Sequence, residues 1–514
     1  MWNSRHIEEL NSRRSQAWES GGKKRIARQH EKGKLTARER IDYLVDKDTF
    51  TETGAFIETR AVDFGMDKKR IPGDGVITGY GKINGRLVYV SSEDFTVIGG
   101  TLGEAHAMKI CGIMDMALQM KAPYISINDS GGARIEEGIL ALHGYGEIFS
   151  RHMKASGIVP QIAAIMGPCA GGACYAPAIC DYIFMTERSS RMFITGTGVV
   201  KKAVGEDVSG AVLGSAKTHM EISGVAHFVY ENDEACLDGI KKLLSYLPQC
   251  CTEKTPYITG QAIDDSLKLQ NIVPDVQRQV YDIHKVIDTF VDKDSFLEIQ
   301  KDFARNIVVG YARIEGEVLG IVANQPQYIG GVVDIDASEK AARFVRCCDC
   351  FRIPILTLID TPGFLPGSNQ EFGGIIRRGA KLLYAYSEAT VPKVSLILRK
   401  AYGGAYIAMN SKGLGADIVY AWPIAQIAVM GAEMAADLIF RHEIELADDK
   451  IHARANLIRQ YDEKFMSPYI AASRGYVDEV ILAEETRRKI KRAFESLKGK
   501  SIIRFFTNHG NIPL

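Results

Sequence analysis

Four glycine-rich turns carry the residues whose types and spacing could do chemistry. Two of them, at 171–173 and 403–405, read Gly-Gly-Ala after apolar runs, and two others, at 129–134 and 360–364, begin with an aspartate. Each Gly-Gly-Ala turn leads from a predicted strand into a helix, whose first N–H groups lack an internal partner and carry partial positive charge. Such groups bind anions. The turns therefore predict two sites where main-chain amides stabilise a developing oxyanion, worth about 3–4 kcal/mol per donor.

The duplicated arrangement decides between this function and simple packing. A single Gly-Gly pair more often only lets a strand and a helix approach closely. Here the pair occurs twice at equivalent places, and the aspartate-led turn beside each pair could direct a second N–H to the same oxygen. We therefore predict catalytic main-chain amides at Gly171 and Gly172 in the first half and at Gly404 and Ala405 in the second.

An internal duplication explains why the turns come in pairs. The segment 45–50 recurs at 291–296, Asp129 and Asp360 are 231 residues apart, and equivalent Gly-Gly-Ala turns begin at Gly171 and Gly403. A near-constant offset of this length is too long for a solenoid and indicates two copies of one domain. We predict an N-terminal domain at 1–260, with a basic helical extension at its start, and a C-terminal domain at 261–514.

Pattern and composition set the fold class and exclude several functions. Apolar strands alternate with helical patterns in each half, which is typical of an α/β fold with helices packed on sheets. Lys plus Arg and Asp plus Glu are 63 each, so no net charge recruits nucleic acid. The polar N-terminus lacks a secretory apolar run, and no apolar run is long enough to cross a bilayer. We expect a cytoplasmic protein without membrane insertion.

Other chemical candidates are weaker. Lys109 lies in an Ala-Met-Lys-Ile tetrapeptide that resembles a biotin-carrying segment, but the tetrapeptide falls inside a helical pattern and not at an exposed hairpin tip. Glu136 and Glu137 could act as acid and base, although adjacent glutamates at a helix start are more often surface residues that complement the helix dipole. Three cysteines on one predicted helix lack further ligands at zinc-finger spacing, so we expect core thiols and no metal: Cys347, Cys348 and Cys350.

From about residue 33 to the C-terminus the sequence resembles the carboxyltransferase (β-type) subunit of biotin-dependent acyl-CoA carboxylases. The resemblance is carried by six segments, at 33–41, 129–138, 167–173, 362–367, 374–377 and 401–406. It implies two tandem crotonase-like domains of the ββα-spiral type. It also implies a homo-oligomer, a hexamer in family members, in which the N-domain of one subunit faces the C-domain of another.

The resemblance divides the binding roles between the two domains. It implies that the N-terminal domain binds the acyl-CoA, with its thioester oxygen held by amides around the first pair of turns. The acyl-CoA residues expected on this basis, besides the catalytic glycines, are Gly131, Gly132, Ala133, Arg134 and Ala173. It implies that the C-terminal domain binds biotin, with these residues beside Gly404 and Ala405: Gly363, Phe364, Leu365, Gly403, Tyr406 and Ile407.

The implied reaction moves a carboxyl group between carboxybiotin and a short-chain acyl-CoA, with propionyl-CoA and methylmalonyl-CoA favoured. Both transient species are oxyanions, so one amide site per domain suits this chemistry. Biotin would arrive on a separate carrier protein, and a biotin carboxylase would be a further partner. Three alternatives remain open: a methylmalonyl-CoA decarboxylase or transcarboxylase subunit of the same family, a crotonase-type hydratase or isomerase, and a non-catalytic CoA-binding scaffold.

Overall fold

The computed structural model describes residues 4–261, 268–502 and 510–513. The chain divides into two compact units, Met1–Lys254 (unit 1) and Thr255–Leu514 (unit 2). Each unit contains one mixed eight-stranded sheet covered by helices, so the predicted α/β class is confirmed. No helix within the described ranges has the length and apolarity needed to cross a bilayer.

The sheet of unit 1 begins with antiparallel strands and continues with parallel ones. Its strands are β1 Thr51–Thr53, β2 Val76–Ile83, β3 Arg86–Glu93, β4 Tyr124–Ser130, β5 Gln161–Ala170, β6 Tyr182–Thr186, β7 Arg191–Phe193 and β8 Phe228–Tyr230. The order is β1-β2-β3-β4-β5-β6-β8, with β7 paired to β5. Pairing is parallel from β3 onward. The carboxyl ends of β4 and β5 therefore meet at one edge.

Ten α-helices accompany this sheet in the described part of unit 1. They are α1 Ser4–Glu19, α2 Lys23–Glu31, α3 Ala37–Leu44, α4 Glu104–Gln119, α5 Ile139–Ala155, α6 Tyr175–Ile179, α7 Thr197–Val204, α8 Gly210–Gly214, α9 Ala216–Glu221 and α10 Asp233–Leu244. Short 3₁₀ segments lie at Asp63–Lys69, Ile98–Gly100, Ile135–Glu137 and Gly171–Cys174. Helices α4 and α5 place apolar side chains such as Ile113 and Tyr145 in the same buried cluster as strand residues.

Unit 2 repeats this sheet. Its strands are β9 Leu297–Ile299, β10 Ile307–Ile314, β11 Glu317–Asn324, β12 Ile355–Thr361, β13 Lys393–Tyr402, β14 Ile418–Ala421, β15 Gln426–Ala428 and β16 Glu479–Val480. The order is β16-β14-β13-β12-β11-β10-β9, with β15 paired to β13. The register shifts before Ser130 in the β4–β5 pair and before Thr361 in the β12–β13 pair, so the same irregularity marks the ends of both central pairs.

Eleven α-helices belong to the described part of unit 2. They are α11 Leu269–Ile272, α12 Ile283–Phe290, α13 Ile335–Cys350, α14 Ser368–Phe372, α15 Ile375–Glu388, α16 Gly403–Ala408, α17 Ala432–Ile439, α18 Arg441–Leu446, α19 Lys450–Tyr461, α20 Pro468–Ser473 and α21 Thr486–Ser496. Segments of 3₁₀ helix lie at Ile329–Gly331, Lys412–Leu414 and Ala483–Glu485, and a π-helical turn spans Asp462–Met466.

The duplicated Val-Asp-Lys-Asp segments fix the first hairpin of each sheet. In unit 1 the Asp46 carboxylate accepts the amides of Asn84 and Gly85 at 3.0 and 2.8 Å, in the turn between β2 and β3. In unit 2 Asp292 accepts the two equivalent turn amides at 2.9 and 2.7 Å. A two-residue turn with positive φ matches the twist of antiparallel strands, and the aspartate satisfies its N–H groups. The repeated segment therefore has a structural role in each unit, that of holding the hairpin turn.

Candidate functional site

The predicted Gly-Gly-Ala corners lie where the sequence places them. In unit 1, β5 ends at Ala170 and Gly171 turns the chain with φ of 63°. In unit 2, β13 ends at Tyr402 and Gly403, the first residue of α16, turns the chain with φ of 58°. Only glycine takes this left-handed conformation without strain. The corners therefore present the N–H groups of a helical first turn, which have no intrahelical acceptor.

The aspartate-led turns lie against these corners. In unit 1, β4 and β5 pair as far as Ser130 and Cys169. Gly132 then approaches the end of β5 so closely that a Cβ on it would lie 2.7 Å from the Ala170 carbonyl oxygen, and its φ of 100° also favours glycine. The close approach brings the amides of the 131–134 turn beside the corner at 171–173.

Hydrogen bonding leaves one amide of the 131–134 turn without an acceptor. The other three donate within unit 1: Gly131 to the Gly99 carbonyl at 3.0 Å, Gly132 to Ser130 Oγ at 3.2 Å and Arg134 to the Leu102 carbonyl at 2.9 Å. None of the described residues accepts the Ala133 amide. Buried N–H groups are almost always paired, and Ala133 is half-buried. An acceptor from outside the described residues could therefore bind this amide.

Unit 2 repeats the same pattern of used and unused amides. Gly363 donates to Thr361 Oγ1 at 3.4 Å, and Leu365 donates to the Val333 carbonyl at 2.9 Å. Between them, the Phe364 amide has no acceptor within the described ranges. Phe364 corresponds to Ala133, because each forms an isolated parallel bridge within its aspartate-led turn, Phe364 with Val333 and Ala133 with Leu102. Each unit thus offers one free turn amide next to one helical corner.

One aromatic ring lies against each corner, and the two rings come from different elements of the fold. In unit 1 the ring of Tyr145, on α5, lies against Gly172, where a Cβ would come within 3.0 Å of it. In unit 2 the ring of Phe364 lies against Gly404, where a Cβ would come within 3.6 Å. Gly172 stays partly exposed and Gly404 is exposed. The lack of side chains leaves the main chain of both corners accessible beside an aromatic wall.

A buried cluster of charged side chains supports the aspartate-led turn of unit 1, at 129–134. The Asp129 carboxylate, fully buried at the end of β4, pairs with Arg40 at 3.0 Å and with Lys34 at 2.6 Å, and accepts Gln29 Nε2 at 2.8 Å. Arg40 also pairs with buried Asp233 at 2.7 Å. The sequence alone does not predict this cluster. Its one signal was the specific segment 33–41, to which the sequence alone assigned no role.

Asp360 in unit 2 is held differently. Arg399 pairs with it at 3.1 Å, and the Lys400 amide donates to its second oxygen at 3.1 Å. The residue of unit 1 that corresponds to Lys400 is Pro168, which has no N–H. Oδ1 of Asp129 accordingly has no partner among the described residues. The two aspartates share a place in the fold, but their carboxylates have different hydrogen-bond partners.

Arg134, expected to contact acyl-CoA, is directed into unit 1. Its buried guanidinium pairs with Asp74 at 2.8 Å and Glu137 at 2.7 Å, and donates to the Thr101 carbonyl at 2.8 Å. Burial raises the pKa of Asp74 to about 6, although Arg134 opposes the shift. Glu137 is buried and accepts the amide of Glu104, at the start of α4. The interpretation of Glu137 as a surface residue is wrong, because it caps a neighbouring helix from inside.

Lys109 is not displayed for biotinylation. It lies on α4 with its ammonium group buried, donating to the carbonyls of Gly73 at 3.0 Å and Val76. Lys340, at the equivalent place on α13, donates to carbonyls that include Phe303 at 2.7 Å. Burial lowers the pKa of each lysine to about 8. The duplicated lysine is buried and binds the carbonyls of the segment that joins the first two strands of each sheet.

The remaining predicted residues line the corners. Ala173 is buried behind the unit 1 corner, Tyr406 is half-buried on α16, and Ile407 is 48% exposed. Burial raises the pKa of Tyr406.

Of the three cysteines near the end of α13, Cys348 alone is buried, so the expectation of core thiols holds for that residue only. In the described parts of the chain no group of three or more His, Cys, Asp or Glu side chains could hold a metal ion.

Comparison with known proteins gives the family. Residues 28–512 match the carboxyl transferase domain. The chain is 54% identical to the propionyl-CoA carboxylase carboxyltransferase subunit of Haloferax mediterranei and 50% identical to the methylmalonyl-CoA decarboxylase subunit alpha of Propionigenium modestum, each over 99% of both chains. It superposes with a TM-score of 0.96 on a transcarboxylase 12S structure described as a hexamer with methylmalonyl-coenzyme A and methylmalonic acid bound, at 51% identity over 99% of this chain and 98% of that one.

These matches extend over almost the whole chain. Their sequence identities are far higher than those of proteins that share only a fold. They confirm the resemblance stated from the six sequence segments, and they confirm the crotonase-like duplication through the solved relative. The chain therefore belongs to the carboxyl transferase family that includes the β-type carboxyltransferase subunits of biotin-dependent acyl-CoA carboxylases.

Proposed function

We propose that the chain transfers a carboxyl group between carboxybiotin on a carrier protein and a short-chain acyl-CoA, with one oxyanion site in each unit. The observation that carries the proposal is the repeated pattern of amides. In unit 1 the unused Ala133 amide lies beside the corner at Gly172, and in unit 2 the unused Phe364 amide lies beside the corner at Gly404 and Ala405.

In unit 1 the amides of Ala133 and Gly172 are assigned to the acyl-CoA thioester oxygen. When the α-carbon loses its proton, negative charge moves onto this oxygen, and two N–H donors that are already in place stabilise it without reorganisation. Gly131, Gly132, Gly171 and Ala173 shape the turn and corner. Arg134 does not touch the ligand in this assignment. It holds the turn through Asp74 and Glu137.

In unit 2 the amides of Phe364, Gly404 and Ala405 are assigned to the ureido oxygen of biotin. The corner fits a flat, neutral ring, because Gly404 carries no side chain and the Phe364 ring forms one wall. Gly363, Leu365, Gly403, Tyr406 and Ile407 line this site. Carboxybiotin supplies the carboxyl group. The amides of the chain hold the oxygen that becomes negative when the carboxyl group leaves.

The curated relatives guide the choice of substrate and partners. Their names point to propionyl-CoA and methylmalonyl-CoA, acted on in carboxylation, decarboxylation or transcarboxylation. We propose the same short acyl group here, a hexameric assembly like that of the solved relative, and a cytoplasmic location. A biotin carboxylase and a biotin carrier protein would supply the carboxyl group if the chain works as a carboxylase.

An exchange assay tests the proposal. Purified protein with carboxyl-labelled methylmalonyl-CoA and free biotin should transfer the labelled carboxyl group to biotin and leave unlabelled propionyl-CoA. A parallel incubation with crotonyl-CoA and no biotin should show no hydration. Hydration without carboxyl exchange would favour the crotonase-type hydratase, and binding of CoA with neither reaction would favour a scaffold.

A further inference from the structure

Glu93 and Asn324 do the same task in the two units with different side chains. Glu93 ends β3 and is buried, and its Oε2 accepts the Asp129 amide at 3.1 Å. Asn324 ends β11, and its Oδ1 accepts the Asp360 amide at 3.2 Å. In each case the bond fixes the aspartate that starts the oxyanion turn. A carboxyl group in unit 1 therefore stands where unit 2 has a neutral amide.

The side-chain amide of Asn324 uses both of its polar atoms. Its Nδ2 donates to the Gly331 carbonyl at 3.2 Å, so the side chain accepts with one atom and donates with the other. A carboxylate only accepts hydrogen bonds, whereas a protonated carboxylic acid accepts and donates as an amide does. In unit 1 the carbonyl that corresponds to that of Gly331 belongs to Gly100 and accepts Ser130 Oγ at 2.6 Å, so the comparison shows that a group shaped like an amide fits this place but does not itself assign a proton to Glu93.

His106 gives the geometric reason to place a proton on Glu93. Its Nδ1 lies 3.0 Å from the Asp74 carbonyl oxygen, which can only accept, so Nδ1 carries the proton and Nε2 presents a lone pair. This Nε2 faces Glu93 Oε1 at 3.8 Å and has no hydrogen-bond partner in the described residues. An ionised Glu93 would oppose a second acceptor to that lone pair inside the protein, which is costly without water. A protonated oxygen removes the conflict.

We propose that Glu93 is a positioning residue for the acyl-CoA half-site, that it works as an un-ionised carboxylic acid, and that its ionisation loosens the turn at Asp129. The inference rests on the proposed function, because it assigns the turn beyond Asp129 to the thioester oxygen. Glu93 touches neither substrate in this assignment. It acts through the Asp129 amide.

The surroundings of Glu93 agree with this protonation state. The titratable groups that face it are His106 on α4, Tyr145 on α5, Cys169 on β5, and Tyr124 and Asp129 on β4. Burial raises the pKa of Glu93 to about 8, and the Asp129 charge adds to the shift while the amide bond opposes it. Burial and nearby Arg134 lower the pKa of His106, which therefore stays neutral.

The kinetic test compares the parent with Glu93→Gln across pH. Glutamine keeps the acceptor and the donor but cannot ionise, so it should rescue the activity that Glu93→Ala loses. A group with pKa about 8 is about one-tenth protonated near pH 9, so the ratio of parent to E93Q exchange rates should fall about tenfold between about pH 7 and pH 9. Other titrating groups cancel in this ratio. Glu317→Gln, which changes an exposed carboxylate of unit 2, should give a flat ratio.

The second test measures how the stability difference between the parent and E93Q changes with pH. Because the folded pKa of Glu93 is raised from 4.5 to about 8, the parent loses stability relative to E93Q as pH rises through that window, and the difference is constant above it. The melting temperature of E93Q minus that of the parent should therefore grow from pH 4.5 to about 8. A difference that stays constant between pH 4.5 and 8 would show that Glu93 is already ionised beside a neutral His106 in the folded protein and would overturn the proposal. An ion pair between Glu93 and a protonated His106 holds the same single proton, and it would instead be revealed by the failure of E93Q to rescue the activity that Glu93→Ala loses.

The two measurements separate this inference from the proposed function. If the parent shows no carboxyl exchange, the proposed function fails, and the stability slope still decides whether Glu93 and His106 together hold a proton. If exchange occurs but the rate ratio is flat across pH, the positioning role fails while the proposed function stands. An E93Q protein that does not fold would also overturn the inference, since an amide isostere must fit this place.

Discussion

At the scale of single residues, the identity of the free amides carries the functional proposal. Ala133 and Phe364 are the members of their turns whose N–H groups find no acceptor in the described parts of the chain, because their neighbours donate to loop carbonyls of the same unit. The sequence predicted the turns but not which amide remains free. That depends on Gly99, Leu102 and Val333, which lie about thirty residues away along the chain.

Ala405→Pro is expected to remove one donor of the biotin site. Proline is tolerated in the first turn of a helix, so α16 should still form, but the N–H is lost. Carboxyl exchange should fall by about 10²-fold, while the affinity for propionyl-CoA, assigned to unit 1, should change little. Exchange rates and calorimetric binding measure the two effects.

The matched control for this change is Ala405→Gly, which alters the same buried position but keeps the amide. If A405G loses as much exchange activity as A405P, the loss comes from packing and the amide has no role.

Arg40→Met is expected to destabilise unit 1. The substitution leaves two buried carboxylates, Asp129 and Asp233, without their shared partner, and removing one side of a buried ion pair costs about 3–5 kcal/mol. Guanidinium denaturation should show the loss. Arg13→Met, which breaks an exposed pair with Glu9, serves as the control and should leave the denaturation midpoint unchanged. Equal midpoints for the two variants would rule out the supporting role of the cluster.

At the scale of elements, each half-site is a strand end pressed against a strand-to-helix corner. The duplication and the glycine pattern predicted these elements and their order. They could not predict that Arg40, on a helix near the N-terminus, reaches Asp129 on β4, or that Arg134 is buried and pairs with Asp74. Both outcomes follow from burial, which forces a charged side chain to find a partner wherever the fold provides one.

Gly132→Ala is expected to separate these two elements. The new Cβ would meet the Ala170 carbonyl at 2.7 Å at a positive φ, so the turn must move away from the corner. A displacement of about 1 Å at a catalytic group costs about 10²-fold, so kcat/KM for acyl-CoA should drop to that extent. Gly85→Ala, at a hairpin turn with positive φ and open space, controls for backbone strain alone. A similar loss in both variants would contradict the close-approach explanation.

At the scale of the whole molecule, apolar side chains beside the turns indicate assembly. Ile135 and Ile139 of unit 1 are 90% and 73% exposed, and Phe372 and Ile376 of unit 2 are 89% and 80% exposed. Clustered exposed apolar side chains mark interfaces in soluble proteins. We expect light scattering to report a hexamer at micromolar concentration, with Ile376→Asp shifting it to smaller species. A monomeric parent would contradict this expectation.

The central claim is that main-chain amides polarise the thioester carbonyl, and infrared spectroscopy tests it directly. The carbonyl stretch of ¹³C-labelled propionyl-CoA should move to lower frequency on binding to the parent protein, because two N–H donors at Ala133 and Gly172 draw charge onto the oxygen. In Gly132→Ala the shift should shrink. A bound thioester whose carbonyl frequency equals that of free propionyl-CoA in water would contradict the account.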